Sequence, residues 1–272
     1  MIGEHDYNRK VWGKKSASLS LNSWSCLKLK YCLESLANIN GGRVLEVGCG
    51  GGVFSKGLKK YRRDLTLYGV DISAKSIDFA KRTSRGIVFK KASVYKLPFP
   101  DDFFDSLTSF DVFEHLTDPK KALSEIRRVT KSTGLVHIVV PLEGSLFTIH
   151  GWLWKLFKLN FEEEQIGHLN RFTFRTVSQL LQIDHFEIKR HWYSRHFVIE
   201  LVDVVYRMVL KSRKTLEINP SFSVESTLES TKGIVSILLE YLYKVMITIS
   251  NLQSRVMHSI PGHTLHITAV KK

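Results

Sequence analysis

The chain has 272 residues, which is enough for one large domain or for one domain with an appended substructure. Its 43% hydrophobic and 24% charged residues are typical of a globular protein with a buried core, which excludes a disordered or fibrous chain. The formal net charge of +14 favours anionic partners such as nucleic acid, acidic lipid headgroups or phosphorylated substrates. Because the basic residues are scattered, a solvated basic surface explains the same charge better.

The N-terminal residues and the cysteines both bear on the compartment. Charged residues among the first ten interrupt any apolar run of the kind that a signal peptide needs. Cys26, Cys32 and Cys49 are odd in number and lack the spacing of metal ligands, which indicates free thiols in a reducing environment. We therefore expect a cytoplasmic protein.

The first half of the chain alternates between helix and strand patterns. Apolar residues at helical spacing predict a helix within residues 16–38, which ends at the glycines that follow Asn40. Alternation of short β-rich runs with amphipathic runs then predicts a parallel sheet with helices on both faces. The predicted strands are residues 43–47, 65–71, 86–90, 106–109 and 135–140, with helices beginning near residues 54, 76 and 120.

Beyond Pro141 the alternation loosens, and the predicted elements are a helix at 172–183, a strand at 186–192, helices at 196–211 and 232–257, and a last strand at 264–270. We predict an α/β fold with a Rossmann-like, seven-stranded, mostly parallel sheet, helices on both faces and an antiparallel last strand. Residues 1–195 and 260–272 would form this domain, and residues 196–259 a helical insertion before the last strand.

The two insertion helices are largely apolar, with narrow polar stripes that include Glu200 in the first and Glu240 and Lys244 in the second. Charges in mid-helix exclude a transmembrane span. The broad apolar faces must be covered by something else. Packing against the protein's own core is favoured, and the alternatives are peripheral contact with an anionic membrane and a homodimer.

The sharpest chemical signal is the glycine turn, residues 46–52 (EVGCGGG), which directly follows a predicted strand and precedes a helix. A ligand can touch backbone there only where side chains are absent, which explains Gly48 and Gly50. A dinucleotide fingerprint would need glycine at position 53, where this chain has Val53. Glu46, just before the turn's first glycine, indicates a cationic ligand such as S-adenosylmethionine (SAM), which carries an ammonium and a sulfonium.

Asp71, at the end of the second predicted strand, is the second signal. A carboxylate at this distance from a glycine turn can accept hydrogen bonds from both hydroxyls of a ribose. The alternative is a helix cap, a role that Ser73 fills equally well. We favour the ribose role because of the spacing from the glycine turn.

Four sequence motifs occur in the order and at the spacing of a known family. Residues 44–52 (VLEVGCGGG), 68–73 (YGVDIS), 97–105 (LPFPDDFFD) and 114–119 (EHLTDP) resemble the class I SAM-dependent methyltransferases. They are most similar to the branch that contains the ubiquinone- and menaquinone-biosynthesis enzymes. The resemblance implies the fold and the cofactor, SAM, but it does not specify the methyl acceptor.

The resemblance also implies residue roles. Asp71 would hold the ribose, and Ile72 would lie against the adenine. Ser93 and Val94 stand where the family usually has an Asp-Ala pair beside the adenine amino group, so a hydroxyl replaces a carboxylate there. Phe110 would contact the cofactor from the other side. The residues implied to surround the methionine part of SAM belong to the glycine turn: Glu46, Gly48, Cys49 and Gly50.

His115 is the candidate catalytic residue, because an imidazole titrates near neutral pH and can serve as a general base. The alternative, which we favour, is that Glu114 and His115 orient the loop and the helix cap beside the cofactor. Together with Asp111, these residues resemble an acidic cluster that some quinone O-methyltransferases use for a divalent metal. We expect no metal, because carboxylates at such spacing are common on helices.

The methyl acceptor is the least determined feature. The residues after the fourth strand lack the Asn/Asp-Pro-Pro-Tyr/Phe motif, which argues against methylation of an exocyclic amine. His168 and the aromatic residues between positions 147 and 161 are candidates for the acceptor side of the site. We expect a small-molecule or lipid-linked acceptor. The alternatives are a non-catalytic SAM-binding module that acts through its insertion, and an RNA methyltransferase, which basicity alone favours.

Overall fold

The computed structural model describes residue 11 and residues 16–157, 167–202 and 234–272, and the statements below concern those residues. The helices are α1 (Cys26–Ser35), α2 (Val53–Tyr61), α3 (Ala74–Thr83), α4 (Pro119–Val129), α5 (Ile149–Phe157), α6 (Phe174–Ile183) and α7 (Ile234–Val256). The strands are β1 (Arg43–Val47), β2 (Thr66–Asp71), β3 (Ile87–Lys91), β4 (Phe104–Phe110), β5 (Thr130–Pro141), β6 (Phe186–Ser194) and β7 (Thr264–Lys271).

One seven-stranded sheet organises these elements, in the order β3-β2-β1-β4-β5-β7-β6. Strands β1 to β5 run parallel, whereas β7 is antiparallel to both β5 and β6. The predicted fold, including the antiparallel last strand, is confirmed. The strand order reverses between β1 and β4, and ligands of such sheets bind at the carboxyl ends of the strands on either side of that point.

The sheet is buried on both faces because successive side chains of a strand point in opposite directions. In β1, Leu45 and Val47 contribute to one hydrophobic cluster, and Val44 contributes to the other. α4 covers the first face through Leu123 and Ile126, which are fully buried. Burying each such side chain contributes roughly 1.5–3 kcal/mol, so packing holds these helices more than propensity does.

α1 is shorter than the predicted helix 16–38, because serines before it bind the backbone locally. Ser25 Oγ accepts a hydrogen bond from Ser18 N at 3.0 Å, and Ser23 Oγ accepts one from Ser25 N at 3.3 Å. Such side-chain contacts compete with helical hydrogen bonds. The apolar spacing over residues 16–25 therefore belongs to turns.

α7 packs on the domain through polar residues. Asn251 Nδ2 donates to Leu21 O at 2.6 Å and to Ser23 O at 3.0 Å, and Ser254 Oγ accepts from Arg195 N at 3.1 Å. Burial of the apolar face against the domain, the favoured expectation, holds for Ile247, which is 5% exposed, but not for most of the described apolar side chains of this helix. Its outward apolar residues are Ile237, Tyr241, Leu242, Val245, Ile249, Leu252 and Val256.

The first predicted insertion helix is described at helical residues 197–202, and there too a residue of the polar stripe is buried while apolar residues are exposed. Glu200, assigned to the polar stripe, is 2% exposed, whereas Phe197 and Leu201 are 54% and 55% exposed. The remainder of that predicted helix, and part of the aromatic segment after position 157, lie outside the described residues. Among the helices described, none combines the length and the hydropathy that crossing a bilayer requires.

Candidate active site

The glycine turn and Asp71 meet at the carboxyl ends of β1 and β2, which are paired in parallel with Val47 opposite Val70. The two carboxylate oxygens of Asp71 accept hydrogen bonds from Gly50 N and Ser73 N, each at 2.8 Å. One side chain therefore joins the glycine turn to the start of α3. The two predicted halves of the ligand site share one crevice.

Gly48 is required by its backbone and by its neighbour. Its φ is +69°, and a Cβ there would lie 2.3 Å from Val112 Cγ2. L-residues with side chains rarely adopt this conformation, and two non-bonded carbon atoms cannot lie so close together. Because Val112 contacts this turn, the loop after β4 borders the same crevice.

Glu46 lies in β1 directly below the turn and is buried, with 3% of its surface exposed. The Ser55 hydroxyl of α2 donates a hydrogen bond to its carboxylate. Burial nevertheless raises the pKa of Glu46 to about 7, and the nearby Asp71 carboxylate raises it further. Burial also raises the pKa of Asp71. A buried acid, Glu46, and a half-buried one, Asp71, repel each other in one crevice and attract a cation.

Two other predicted contacts flank Asp71. Ile72 is 53% exposed at the end of β2, so its side chain offers an apolar surface beside the crevice. Ala92 N donates to Asp71 O at 3.0 Å, which ties the loop carrying Ser93 and Val94 to β2. Both of these residues are half-buried. Their contacts with adenine stay predictions.

Cys49 and Phe110 are both buried at this edge. Cys49 N donates to Val70 O at 2.9 Å, and burial raises the pKa of its thiol well above the usual value. The Phe110 ring stacks on Phe54 of α2, with ring centres 3.8 Å apart. That ring fills the core beneath α2, and its contact with a cofactor stays a prediction.

The residues of this crevice fit SAM. Each Asp71 oxygen has a second lone pair, which suits the hydroxyls of a ribose. The bare backbone of the glycine turn permits close approach, and Glu46 suits an amino acid with an ammonium group beside a sulfonium. A diphosphate does not fit, because it would meet two buried carboxyl groups.

Asp111, a member of the predicted acidic cluster, is engaged elsewhere. It follows β4 with a φ of +53°, and its carboxylate is ion-paired with Lys28 of α1. Lys28 is 6% exposed, whereas the Asp111 side chain is 37% exposed, so only the lysine side of this ion pair is shielded from water. Asp111 is therefore bound to the N-terminal helix α1.

Glu114, His115 and His168 bring potential ligand atoms within 4.8 Å of one another. Glu114 is 1% exposed, and burial, with a smaller contribution from Asp111, raises its pKa to about 8. A carboxyl group that is protonated at neutral pH must lose its proton before it can bind a cation. These three side chains can therefore exchange protons, and they can offer ligand atoms to a cation once Glu114 is ionised.

The segment from Gly167 to Asn170 is bound to the loop after β4. Leu169 N and Asn170 N donate to Glu114 O at 2.7 and 3.0 Å. His115 Nδ1 lies 3.1 Å from Gly167 O, and His168 Nδ1 lies 2.5 Å from Glu143 Oε1. The two imidazole rings meet edge to face at 4.7 Å.

Sequence reasoning missed three participants in this region: Lys28, Glu143 and Asn170. Glu143 and its partner His168 are 25 residues apart, and Asn170 and Leu116, one of its partners, are 54 residues apart. No local pattern links residues at such separations, because the fold alone brings them together. Of the segment from Gly167 to Asn170, the sequence indicated only His168, as a candidate for the acceptor side of the site.

Comparison with known proteins agrees with this geometry. Residues 45–138 match the family described as "Methyltransferase domain". Residues 45–138 of this chain are therefore similar to a methyltransferase domain. An uncharacterised methyltransferase of Schizosaccharomyces pombe is 39% identical over 105 residues, which are 35% of this chain and 38% of that protein. A ubiquinone biosynthesis O-methyltransferase of Alkalilimnicola ehrlichii is 28% identical over 130 residues, 46% of this chain and 52% of that protein. The chain spans about half the length of these curated relatives, or less.

Solved methyltransferase structures share the fold over most of the chain. A protein assigned as a sarcosine dimethylglycine methyltransferase of Galdieria sulphuraria superposes with a TM-score of 0.62, covering 96% of each chain at 15% identity. Phosphoethanolamine N-methyltransferase 2 of Haemonchus contortus, solved with SAM, gives 0.55, covering 96% of this chain and 55% of that one at 17% identity. At such identities the likeness of this methyltransferase domain concerns the fold alone.

Proposed function

We propose that the protein transfers the methyl group of SAM to a hydroxyl of a small-molecule or lipid-linked acceptor. The observation that carries the proposal is the Asp71 carboxylate bridging the glycine turn and α3, with buried Glu46 beneath the same turn. This combination recognises a nucleoside that bears positive charge. The solved complex of the Haemonchus contortus enzyme with SAM supports the same ligand.

When bound, SAM supplies a methyl group on a sulfonium that a nucleophile can displace without further activation. The chain's own residues then have three tasks: binding, orienting and removing a proton. Asp71 and the glycine turn bind and orient. His115, half-buried beside the loop that contacts Gly48, is the candidate to accept the proton of the acceptor hydroxyl.

Hydroxyl chemistry is supported by two observations. Relatives of this domain are named as O-methyltransferases, including one that acts in ubiquinone biosynthesis. A set of two histidines and a buried acid with a pKa near 8 suits proton removal from a weakly acidic group.

Calorimetry with SAM, followed by incubation with isotopically labelled SAM and cell-extract fractions, tests the proposal. We expect binding and transfer of label to a small or lipid-soluble product that mass spectrometry identifies as a methyl ether. Binding of SAM without transfer to any fraction would instead support a non-catalytic module. Label in RNA, with retention of RNA that salt abolishes, would favour an RNA methyltransferase.

We also propose peripheral contact with an anionic membrane through the outward face of α7. The support is a row of apolar side chains, from Ile237 at 69% exposure to Val256 at 86%, in a chain of net charge +14. Vesicle flotation with phosphatidylcholine alone and with added phosphatidylglycerol tests it. Flotation should increase with the anionic lipid and decrease in the double variant Ile249→Ser, Leu252→Ser. A dimer in solution, with no protein in either lipid fraction, would contradict the proposal.

A further inference from the structure

The positive charge of the chain is concentrated in one part of the fold. Residues 56–96 contain twelve lysines and arginines and three aspartates, whereas the remainder of the chain contains 28 basic and 23 acidic residues. Along the sequence these cations are scattered over α2, α3, β3 and the adjoining loops. The exposed ones, which we name the cationic surface, are Lys60, Arg63, Lys75, Lys81, Arg82, Arg85, Lys90, Lys91 and Lys96.

The fold brings these cations together, because α2 and α3 lie side by side. Lys56 Nζ of α2 lies 5.5 Å from the centre of the Phe79 ring of α3. Lys59 Nζ donates to Leu65 O at 3.0 Å, and a Cβ at Gly86 would lie 3.7 Å from Lys59 Cε. The two helices therefore end next to each other, at the edge where β2 and β3 begin.

Few carboxylates offset the charge of the cationic surface. Of the three aspartates, Asp64 is ion-paired with Arg62 at 2.7 Å, and Asp71 belongs to the SAM crevice, which leaves Asp78 on α3. Apart from Lys75, the members of the cationic surface form no ion pair with a carboxylate in the part of the chain that the structure describes. Such a field attracts a ligand with several negative charges.

A groove with an aromatic ring in its wall adjoins the cationic surface. It has a volume of about 480 Å³ and lies between the ends of α1 and α2. Tyr61 is 38% exposed, and Lys60 Nζ lies 5.5 Å from the centre of its ring. Aromatic rings and cations combine in this way where single-stranded nucleic acid binds, because bases stack on the rings while phosphates contact the cations. The residues that line the groove are Leu33, Ala37, Asn40, Tyr61, Arg62 and Asp64.

The cationic surface continues along β3, which is an outer strand of the sheet. Arg85 precedes this strand, and Lys90 and Lys91 end it. Five strand residues span about 17 Å, so these cations form a row. A bilayer surface would need several apolar side chains among the cations, whereas Val88 is the large apolar residue exposed between Arg85 and Lys90. A linear polyanion fits this row better than a bilayer does.

We propose that the cationic surface and the adjoining groove bind single-stranded nucleic acid, with phosphates on the cations beside β3 and a base on the Tyr61 ring. α7 packs on β6 at the other edge of the sheet, six strand spacings or about 29 Å from β3. This binding is therefore separate from the membrane contact proposed for α7. It goes beyond the proposed function, since it does not require nucleic acid to be the methyl acceptor.

Fluorescence anisotropy with a labelled strand of about 20 uridines tests the proposal without SAM or an acceptor. We expect micromolar binding, with a slope of log K against log salt of about −3, which corresponds to four phosphate contacts of a single strand. The double variant Arg63→Gln, Arg85→Gln should bind about tenfold more weakly, with a slope of about −1.5. The matched control, Arg175→Gln, Arg190→Gln, removes the same charge from exposed positions on α6 and β6 and should change neither value.

The groove is tested through its ring. Tyr61→Ala should weaken binding by about tenfold at an unchanged salt slope, because it removes a stacking ring and no charge. Tyr61→Phe keeps the ring and should bind as the wild-type protein does. Equal losses in the two arginine double variants would show general charge attraction and overturn the proposal. Absence of binding at about 50 mM salt would overturn it as well.

Vesicle flotation distinguishes nucleic acid from a bilayer as the ligand of the cationic surface. Wild-type protein and the variant Arg63→Gln, Arg85→Gln should float equally with vesicles that contain phosphatidylglycerol. If this variant lost flotation and kept its affinity for the strand, the surface would bind a bilayer and the proposal would be wrong. Since no arm contains SAM, failure of this proposal and failure of the proposed methyl transfer are distinguishable.

Discussion

Two buried polar regions of this sheet hold titratable groups of opposite kinds. The crevice at the carboxyl edge contains Glu46 and, in the adjoining loop, Glu114, whose pKa values burial raises to about 7 and about 8. Beneath α1, burial lowers the pKa of His137 to about 3, and it lowers that of His266 well below the usual value. Removal from water penalises the charged form in both regions.

The difference lies in what surrounds each group. His137 Nδ1 lies 3.0 Å from both Ser35 Oγ and Thr268 Oγ1, and His266 Nε2 lies 2.7 Å from Ser194 Oγ. These five residues form a histidine layer of neutral partners, and they need no charge. The crevice acids instead lie beside a turn of bare backbone that a cationic ligand can approach. The comparison separates a polar region that supports the fold from one arranged for a ligand.

The two regions should respond oppositely to pH. The histidine layer contributes stability at neutral pH, and this is lost as pH falls from about 6.5, the unfolded value, towards the folded pKa near 3. The raised pKa of Glu46 acts in the other direction. Its burial lowers stability as pH rises from about 4.5 through about 7, because the unfolded carboxyl ionises first.

The largest expected effect concerns the histidine layer. Wild-type protein should lose about 2 kcal/mol of unfolding free energy through His137 alone between pH 6.5 and 4.5. His137→Asn retains a polar group near Ser35 and Thr268 but does not titrate, so it should show a correspondingly weaker dependence on acid. Urea denaturation at several pH values measures the difference. Parallel pH curves for both proteins would contradict the assignment of a buried neutral histidine.

The next effect concerns Asp71 in the crevice. Asp71→Ala should weaken SAM binding more than about tenfold, because charge-assisted hydrogen bonds to the ribose and the tie between Gly50 and Ser73 are both lost. Isothermal calorimetry measures the affinity. Asp78→Ala, an exposed carboxylate on α3, is the control and should leave the affinity unchanged. If Asp71→Ala left the affinity for SAM unchanged, the predicted placement of the ribose at this strand end would be wrong.

The affinity for SAM should itself depend on pH through Glu46. A cation favours the ionised carboxyl, so binding should strengthen up to about tenfold from pH 6 to pH 8 as Glu46 passes its pKa of about 7. Glu46→Gln should bind more weakly and lose most of this dependence. S-adenosylhomocysteine lacks the sulfonium and should show less of it. If both ligands showed the same pH profile, the sulfonium would not be the cause of the pH dependence.

The smallest expected effect concerns Ser35, a neutral member of the histidine layer. Ser35→Ala should lower the unfolding free energy by about 1 kcal/mol, the value of one buried hydrogen bond, because two of the three partners of its hydroxyl, His137 and Thr268, remain hydrogen-bonded to each other. Because no charge is involved, the loss should be similar at pH 5 and pH 8, and SAM affinity should not change. A loss confined to acid pH would show that the serine acts through the charge of His137.

The sequence by itself determined the sheet, and it predicts the ligand class. Gly48, Glu46 and Asp71 are recognisable because a glycine turn, an acid before it and an acid at the next strand end are local patterns with fixed spacing. The parallel strands follow from alternation of strand and helix patterns over residues 43–141. Such signals depend only on residues that are close in the sequence, and the structure brings these three residues to the same edge of the sheet.

The tertiary structure decided which polar groups meet and which surfaces are buried. The apolar spacing of α7 predicted burial of its apolar face. Instead, Asn251 and Ser254 make hydrogen bonds with the domain and most of the described apolar side chains lie outward, because periodicity does not reveal which face a partner occupies. The spacing grouped Asp111 with Glu114. In the structure Asp111 forms an ion pair with Lys28, and His168 is the residue that lies beside Glu114 and His115. Such pairings join distant parts of the chain, so their energy is fixed by the packed fold and leaves no local trace in the sequence.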